Sequence, residues 1–321
     1  MDGPKSRFAQ TNGIRMHYLE MGEGPLVLLC HGWPELSWSW RHQLPALAAA
    51  GFRVVAPDMR GFGDTDAPEA VEAYTLLHTT GDMVGLLEAL GEEQAVIVGH
   101  DWGAPVAWQC ALFRPDRFRA VAGLSVPYSP RGSVSLITLL RAMGLERFYM
   151  VYFQEPGQAE RELEADPRET FLRLLYSASG AAAATGAGWP AMIPPGRTIV
   201  EACARPDALP GWLAEEDLAR YAQTYARTGF RGGLNWYRTL HRTWELTAAW
   251  AGARIRVPAL FIAGAEDGVL KMPGLDKAVQ QLDDTCLDLR GRHILPGAGH
   301  WVQQEAPEAV NEALIGFLTG L

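Results

Sequence analysis

The sequence predicts an α/β fold, a mostly parallel sheet with helices on both faces, interrupted once by a long helical insertion. Three observations carry this reading. Short, continuously apolar runs rich in β-branched residues alternate with helix-like stretches from Leu26 to Leu124. The alternation breaks from about Tyr128 to about Trp244, and it resumes at Val257. Repeated strand–helix alternation implies parallel strands joined by crossover helices.

Each element can be justified in order. Leu26 to Cys30 is apolar throughout and ends at a Gly-containing turn, as a strand buried on both faces should. Ser37 to Ala50 has helical spacing and stops at Gly51. Arg53 to Ala56 reads as a strand, Tyr74 to Leu90 as a helix ended by Gly91, and Ala95 to Val98 as a strand. Pro105 to Phe113 is a helix and Ala120 to Leu124 a further strand. Within the insertion, Ser179 to Gly196 is rich in Ala, Gly and Pro, and is expected to form a mobile loop rather than a helix. The pattern returns with a strand at Val257 to Ala263, a helix near Lys271 to Leu282, a strand near His293 to Leu295 and a last helix from Pro307 to Leu318. The expected division is a core of residues 1–128 and 245–321 and a helical cap of residues 129–244. A cap inserted there would lie over the carboxyl edge of the sheet, where such sheets bind ligands.

Composition narrows the function classes. With 321 residues, 48% hydrophobic and 20% charged, the chain can bury a large core. A net charge of -9 argues against a nucleic-acid partner and against an anionic membrane surface. The start, Met1-Asp2-Gly3-Pro4-Lys5, has no apolar run of the secretory kind, and no stretch approaches the ~20 apolar residues of a membrane span. Cys30, Cys110, Cys203 and Cys286 lie far apart, without C-x-x-C spacing for zinc or redox work. The expectation is a reduced, cytoplasmic protein with no cofactor and no metal site; homo-oligomerisation stays open.

The chemistry concentrates in four loops. Val98-Gly99-His100-Asp101-Trp102-Gly103 follows a predicted strand and precedes a predicted helix, the setting of a nucleophile elbow. The central residue is Asp rather than Ser; read blandly, Asp101 would be a helix N-cap. Downstream, Asp267 follows the returning strand and His300 follows the final one, in the order nucleophile, acid, base. Glu266 is the alternative acid. His31-Gly32-Trp33-Pro34 follows the first buried strand, where an oxyanion loop belongs, with the backbone N–H groups of Trp33 and Trp102 as donors. The bland reading of that loop is a turn with an aromatic plug.

Taken together, HGWP, GHDWG, AEDGVL and GAGHW resemble the epoxide hydrolases of the α/β-hydrolase fold. The likeness extends into the insertion, where the segments Phe148 to Gly157 and Phe230 to Arg238 look like that family's two cap-tyrosine segments. By register the resemblance places the functional tyrosines at Tyr149, with Tyr152 nearby, and at Tyr237. It implies Asp101, Asp267, His300, Tyr149 and Tyr237 as catalytic, and His31, Trp33, Trp102, Tyr149, Tyr237 and Trp301 as substrate-binding. HG-x-P and GHD-W-G are shared with haloalkane dehalogenases; the ordered set with both tyrosine segments is specific.

The residue types suit this reaction. A carboxylate attacking an ester or amide would give an anhydride, whereas attack on saturated carbon gives an ester that water can hydrolyse. An epoxide oxygen must gain a proton as it departs, and a phenol with pKa ~10 can supply it. Halide departure needs no proton. His300, oriented by Asp267, would activate water to attack the ester of Asp101. Trp33, Trp38, Trp40, Trp102, Trp108, Trp236 and Trp301 offer aromatic surface for an apolar pocket, so a hydrophobic epoxide and water are the expected partners. The rival readings are a haloalkane dehalogenase and a non-catalytic receptor for a small apolar ligand on the same fold.

Overall fold

Strands β1 (Lys5–Thr11), β2 (Ile14–Met21), β3 (Leu26–Cys30), β4 (Arg53–Pro57), β5 (Ala95–His100), β6 (Phe118–Leu124), β7 (Ala259–Gly264) and β8 (Leu289–Leu295) form one sheet in the computed structural model of the chain. The structure describes residues 3–272 and 274–321. The strand order is β1-β2-β4-β3-β5-β6-β7-β8. Pairing is antiparallel from β1 through β2 to β4 and parallel from there to β8.

The apolar runs behave as their sequence requires. Every residue of β3, β5 and β7 is buried, because helices cover both faces. Alternate residues then feed two separate layers. Leu26, Leu28 and Cys30 of β3 join one apolar cluster with Ile97, whereas Val27 and Leu29 join the other with Val96 and Val98. Helices α1 (Gln43–Ala49), α2 (Leu76–Leu90) and α3 (Gly103–Phe113) alternate with the first parallel strands.

Between β6 and β7 the chain is helical: α4 (Leu136–Ala142), α5 (Tyr149–Tyr152), α6 (Gln158–Leu163), α7 (Pro167–Ser177), α8 (Gly180–Ala184), α9 (Ile199–Ala202), α10 (Glu215–Thr228), α11 (Arg231–Arg238) and α12 (Leu240–Leu246). Phe148 and Met192 make an isolated antiparallel bridge there. After β7 come α13 (Leu275–Gln280), α14 (Leu282–Thr285), α15 (Val302–Glu305) and α16 (Pro307–Thr319). No helix among the described residues is long and apolar enough to cross a membrane.

The structure corrects several expectations. The helix expected over Ser37 to Ala50 is split into a 3-10 turn (Ser37–Trp40) and α1. The Ala-rich stretch expected to be a loop contains α8, started by the Ser179 hydroxyl, which accepts from the Ala182 N–H. Only beyond it does irregular backbone begin. The helix expected from Lys271 to Leu282 is a 3-10 turn (Gly268–Lys271) followed by α13 and then α14; Pro273 lies outside the described residues.

The β1–β2 hairpin escaped the sequence reading, because β1 is largely exposed and carries no apolar run. Its Asn12-Gly13 turn, with φ of 43° and 79°, was the available signal. A buried ion pair locks it down. Asp82 of α2 accepts from Arg60 Nε at 2.8 Å and from Asn12 Nδ2 at 2.9 Å, while its backbone carbonyl accepts from the Thr11 hydroxyl at 2.7 Å. Removing one partner strands the other charge in the interior. Asp82→Ala is therefore expected to destabilise the fold by about 3–5 kcal/mol, read as a lower urea midpoint. A shift under about 1 kcal/mol would mean that Arg60 finds water or another partner.

Candidate active site

Parallel pairing brings the four motif loops to one edge of the sheet. Cys30 of β3 is in register with Gly99 of β5, and His100 with Leu124 of β6. The chain leaving β3 thus runs directly beside the turn between β5 and α3. That turn is tight. Asp101 sits in left-handed backbone with φ of 49°, a conformation of appreciable cost outside glycine. The flanking glycines are demanded by contact: a Cβ on Gly99 would fall 1.9 Å from the Gly103 carbonyl oxygen, and one on Gly103 2.0 Å from that of Cys30. Asp101 is consequently not an N-cap; the cap residue of α3 is Trp102.

The Asp101 carboxylate is held from two sides. Oδ1 accepts the backbone N–H of Trp33 at 2.7 Å, and Oδ2 lies 3.3 Å from His300 Nε2. The other ring nitrogen of His300, Nδ1, stands 3.1 Å from both oxygens of Asp267. Asp267 is fully buried and also accepts from the Val269 N–H at 2.8 Å. Glu266, the alternative acid, is displaced from the site and lies 3.6 Å from Lys271 at the surface.

Two hydroxyl-bearing side chains face this group from the insertion. Tyr149 opens α5 and Tyr237 lies on α11; their ring centroids are 5.9 Å apart. Both line the same cavity as Asp101, together with Trp33, Leu174, Trp189, Met272, His300 and Trp301. The empty space there is about 430 Å³. Gln154 joins the two tyrosine segments, donating from Nε2 to the carbonyls of Met150 at 2.8 Å and Tyr237 at 2.9 Å. Tyr152 is directed elsewhere, its hydroxyl donating to Glu162.

Two of the expected substrate contacts are corrected. His31 is buried beneath the loop: its Nε2 accepts the Met59 N–H at 2.9 Å, so its protonated Nδ1 donates to the Gly32 carbonyl at 2.8 Å. Burial pushes its pKa down, which suits this neutral bracing role. The Trp102 ring packs 5.0 Å from Tyr237, behind the cavity wall rather than in it. Trp33, Tyr149, Tyr237 and Trp301 do line the cavity.

Other residues of the site were missed by sequence reasoning. Glu35 directly follows the HGWP motif and is fully buried. It accepts from His100 Nδ1 at 2.6 Å, from the Gly32 N–H at 3.1 Å and from the side-chain amides of Gln303 at 2.9 Å and Gln304 at 3.0 Å. Burial alone would raise its pKa, but His100, His31 and the Gly32 N–H hold it at about 2. His100 Nε2 in turn donates to the His300 carbonyl at 2.7 Å, as does the Ser125 hydroxyl at 2.9 Å. The usable signal was a titratable residue inside one motif, His100, and another directly after a second, Glu35. Trp189, edge-on to Tyr149 at 5.4 Å, comes from the stretch read as a loop, which offered no pattern to single it out. Among the described residues, the close group His17, Asp58 and Asp64 offers potential metal ligands, but the ring nitrogens of His17 are already engaged by Asp58 and Ser6.

Electrostatics divide the cavity into charged and neutral halves. Burial raises the Tyr149 and Tyr237 pKa values well above the usual phenol range, and the Asp101 charge adds to this, so both remain proton donors. Burial would lower the His300 pKa, but Asp267 and Asp101 outweigh it and hold the imidazole well above its usual value. Burial would likewise raise Asp267, yet His300 and the Val269 N–H keep it below the usual carboxylate range.

Comparison with known proteins places this geometry in context. The chain matches the alpha/beta hydrolase fold family over residues 25–307. It is 46% identical to Epoxide hydrolase A of Mycobacterium tuberculosis over 325 residues, covering 100% of this chain and 99% of that one. It is 44% identical to an epoxide hydrolase of Caballeronia sordidicola, covering 98% of this chain and 94% of the relative. Among solved structures, Epoxide Hydrolase A from Mycobacterium thermoresistibile superposes with a TM-score of 0.92 at 47% identity, covering 99% of each chain. The epoxide hydrolase from an endophytic Streptomyces does so with a TM-score of 0.94 at 45% identity, covering 100% of this chain and 96% of that one.

The ion pair generates a test. Asp101→Asn removes one of the two anions that stabilise the His300 imidazolium, so the His300 pKa should fall relative to the wild type. NMR titration of the imidazole reads this directly. An unchanged or higher midpoint would mean that Asp101 does not hold that proton.

Proposed function

The chain belongs to the epoxide hydrolases of the alpha/beta hydrolase fold, and on that premise we propose that Asp101 opens the epoxide ring and that His300 drives hydrolysis of the resulting ester. The observation that carries the proposal is the position of the Asp101 carboxylate: fixed at Oδ1 by Trp33, flanked at Oδ2 by His300, and faced across the cavity by Tyr149 and Tyr237. Residues 129–244 would act as the cap that supplies the tyrosines, over a core of residues 1–128 and 245–321.

The first step forms a bond between an Asp101 oxygen and an epoxide carbon and breaks that carbon's bond to the ring oxygen. The ring oxygen keeps the electron pair and takes a proton from Tyr149 or Tyr237. Esterification removes one of the two anions beside His300. The imidazole then gives up its proton more readily, and the tyrosinate regains one. In the second step neutral His300 removes a proton from water as the water oxygen bonds to the Asp101 carboxyl carbon. The oxyanion formed there is met by the Trp33 amide, and the Trp102 amide is the second donor in this reading. Collapse breaks the acyl–oxygen bond, and the departing oxygen leaves with the remaining water proton as a vicinal diol. His300 is again protonated and Asp101 ionised, which is the resting arrangement. No step in this cycle calls on a cofactor.

Apolar walls at Leu174, Ala178, Trp189, Val269 and Met272 favour a hydrophobic epoxide, alkyl- or aryl-substituted. Cytoplasmic residence belongs to the same proposal, supported by four cysteines that stay free and buried.

Purified protein is expected to convert an aryl-substituted epoxide to its diol without releasing halide from a matched chloroalkane. Asp101→Ala should abolish turnover, and His300→Gln should accumulate the ester, seen as a protein mass increase equal to the substrate. Replacing both tyrosines with Phe should slow ester formation about 10²- to 10⁴-fold. Diol formation by Asp101→Ala at the wild-type rate would rule out the covalent route.

A further inference from the structure

One carboxylate near the site has no part in the chemistry just described. Glu305 ends α15, five residues beyond His300. Its Oε1 accepts the Trp301 N–H at 3.0 Å, and its Oε2 accepts the Gly299 N–H at 3.1 Å. The same Oε2 also accepts the Gly180 N–H at 2.8 Å, and Gly180 is the first residue of α8 in the insertion. Between the two loop amides that Glu305 holds, the His300 N–H donates to the Ala178 carbonyl at 2.9 Å. The Trp301 indole donates to the Leu175 carbonyl at 2.7 Å. Both carbonyls come from the C-terminal end of α7, where a helix leaves acceptors without intrahelical partners.

All three amides around the imidazole are thus bonded to groups outside the loop. Contact is close enough to exclude side chains: a Cβ on Gly299 would lie 2.3 Å from the Gly180 nitrogen, and one on Gly180 2.1 Å from the Gly297 oxygen. From this arrangement we infer that Glu305 is a positioning residue for His300. Its carboxylate ties the backbone on both sides of the imidazole to α8, so the aim of Nε2 at Asp101 depends on the seating of the insertion. The residue type fits the task. An ionised carboxylate accepts on both oxygens, whereas a neutral amide accepts on one, so it could keep the Gly180–Gly299 bridge but would turn a donor toward the Trp301 N–H. Bonds from amides to a carboxylate are also the stronger, charge-assisted kind.

The inference rests on the reading of His300 as the base of ester hydrolysis, and a kinetic comparison separates the two. Ester formation does not use His300 as a base, so Glu305→Ala should leave its rate within about twofold, while a shifted imidazole slows hydrolysis about 10- to 100-fold. Rapid-quench kinetics with intact-protein mass spectrometry on an aryl-substituted epoxide would then find the ester accumulating at steady state. Glu305→Gln, close to isosteric, should show the same selective slowing by a smaller factor, and it carries the comparison should Glu305→Ala fail to fold. His300→Gln is measured alongside. If it accumulates ester while the Glu305 variants hydrolyse at the wild-type rate, or lose both rates by the same factor, the Glu305 assignment is overturned alone. If His300→Gln accumulates none, the base reading fails and takes this inference with it.

Discussion

The proposed mechanism sets one requirement on the site: a carboxylate must be held in place in a largely apolar cavity while remaining open to substrate. A buried charge is tolerable only with partners, and a fully coordinated one would be a poor nucleophile. Asp101 lies between these limits. One oxygen takes an amide hydrogen bond from Trp33 and the other faces the imidazole of His300. The left-handed backbone at Asp101 is what lifts the side chain into this position, and the close-packed glycines beside it are what permit the turn. Much of the surrounding structure serves to keep that turn in place.

Charge alternates outward from there, from Asp101 to His300 to Asp267, with the Glu35–His100 pair beneath. Asp101 and Asp267 flank the His300 imidazole, and the backbone carbonyl of His300 is held from below by His100 and Ser125. Above them the insertion side is neutral: two phenols kept protonated by burial, and a wall of aromatic and aliphatic groups. At rest, charge is thereby confined to the sheet edge, while the wall facing it is apolar.

Much of this was legible in the sequence, because parallel strands with both faces covered announce themselves as unbroken apolar runs. β3, β5 and β7 were readable for that reason, and the motifs at their carboxyl ends fell together once the strands paired in register. What was not legible lacked periodicity. β1 packs by cross-strand pairing with one exposed face, and α8 is too short and Ala-rich for its sequence to decide between helix and loop. His31 misled because motif membership is not exposure to ligand; both its nitrogens are spent on the backbone. The aromatic wall contributed by Trp189 could be placed only with coordinates, since its partner Tyr149 is 40 residues earlier in the chain.

One apolar cluster runs without a break from the sheet, through Leu28 and Ile97, into the insertion, through Phe153, Phe171, Tyr221 and Phe230. The insertion therefore has no separate interior that would survive excision, and its packing choices are inherited from the sheet beneath it. Exchanging this segment between related chains would import a mismatched seam unless residues of the Trp33, Asp101 and His300 loops travelled with it. A change of side-chain volume on one side of that boundary is therefore felt on the other.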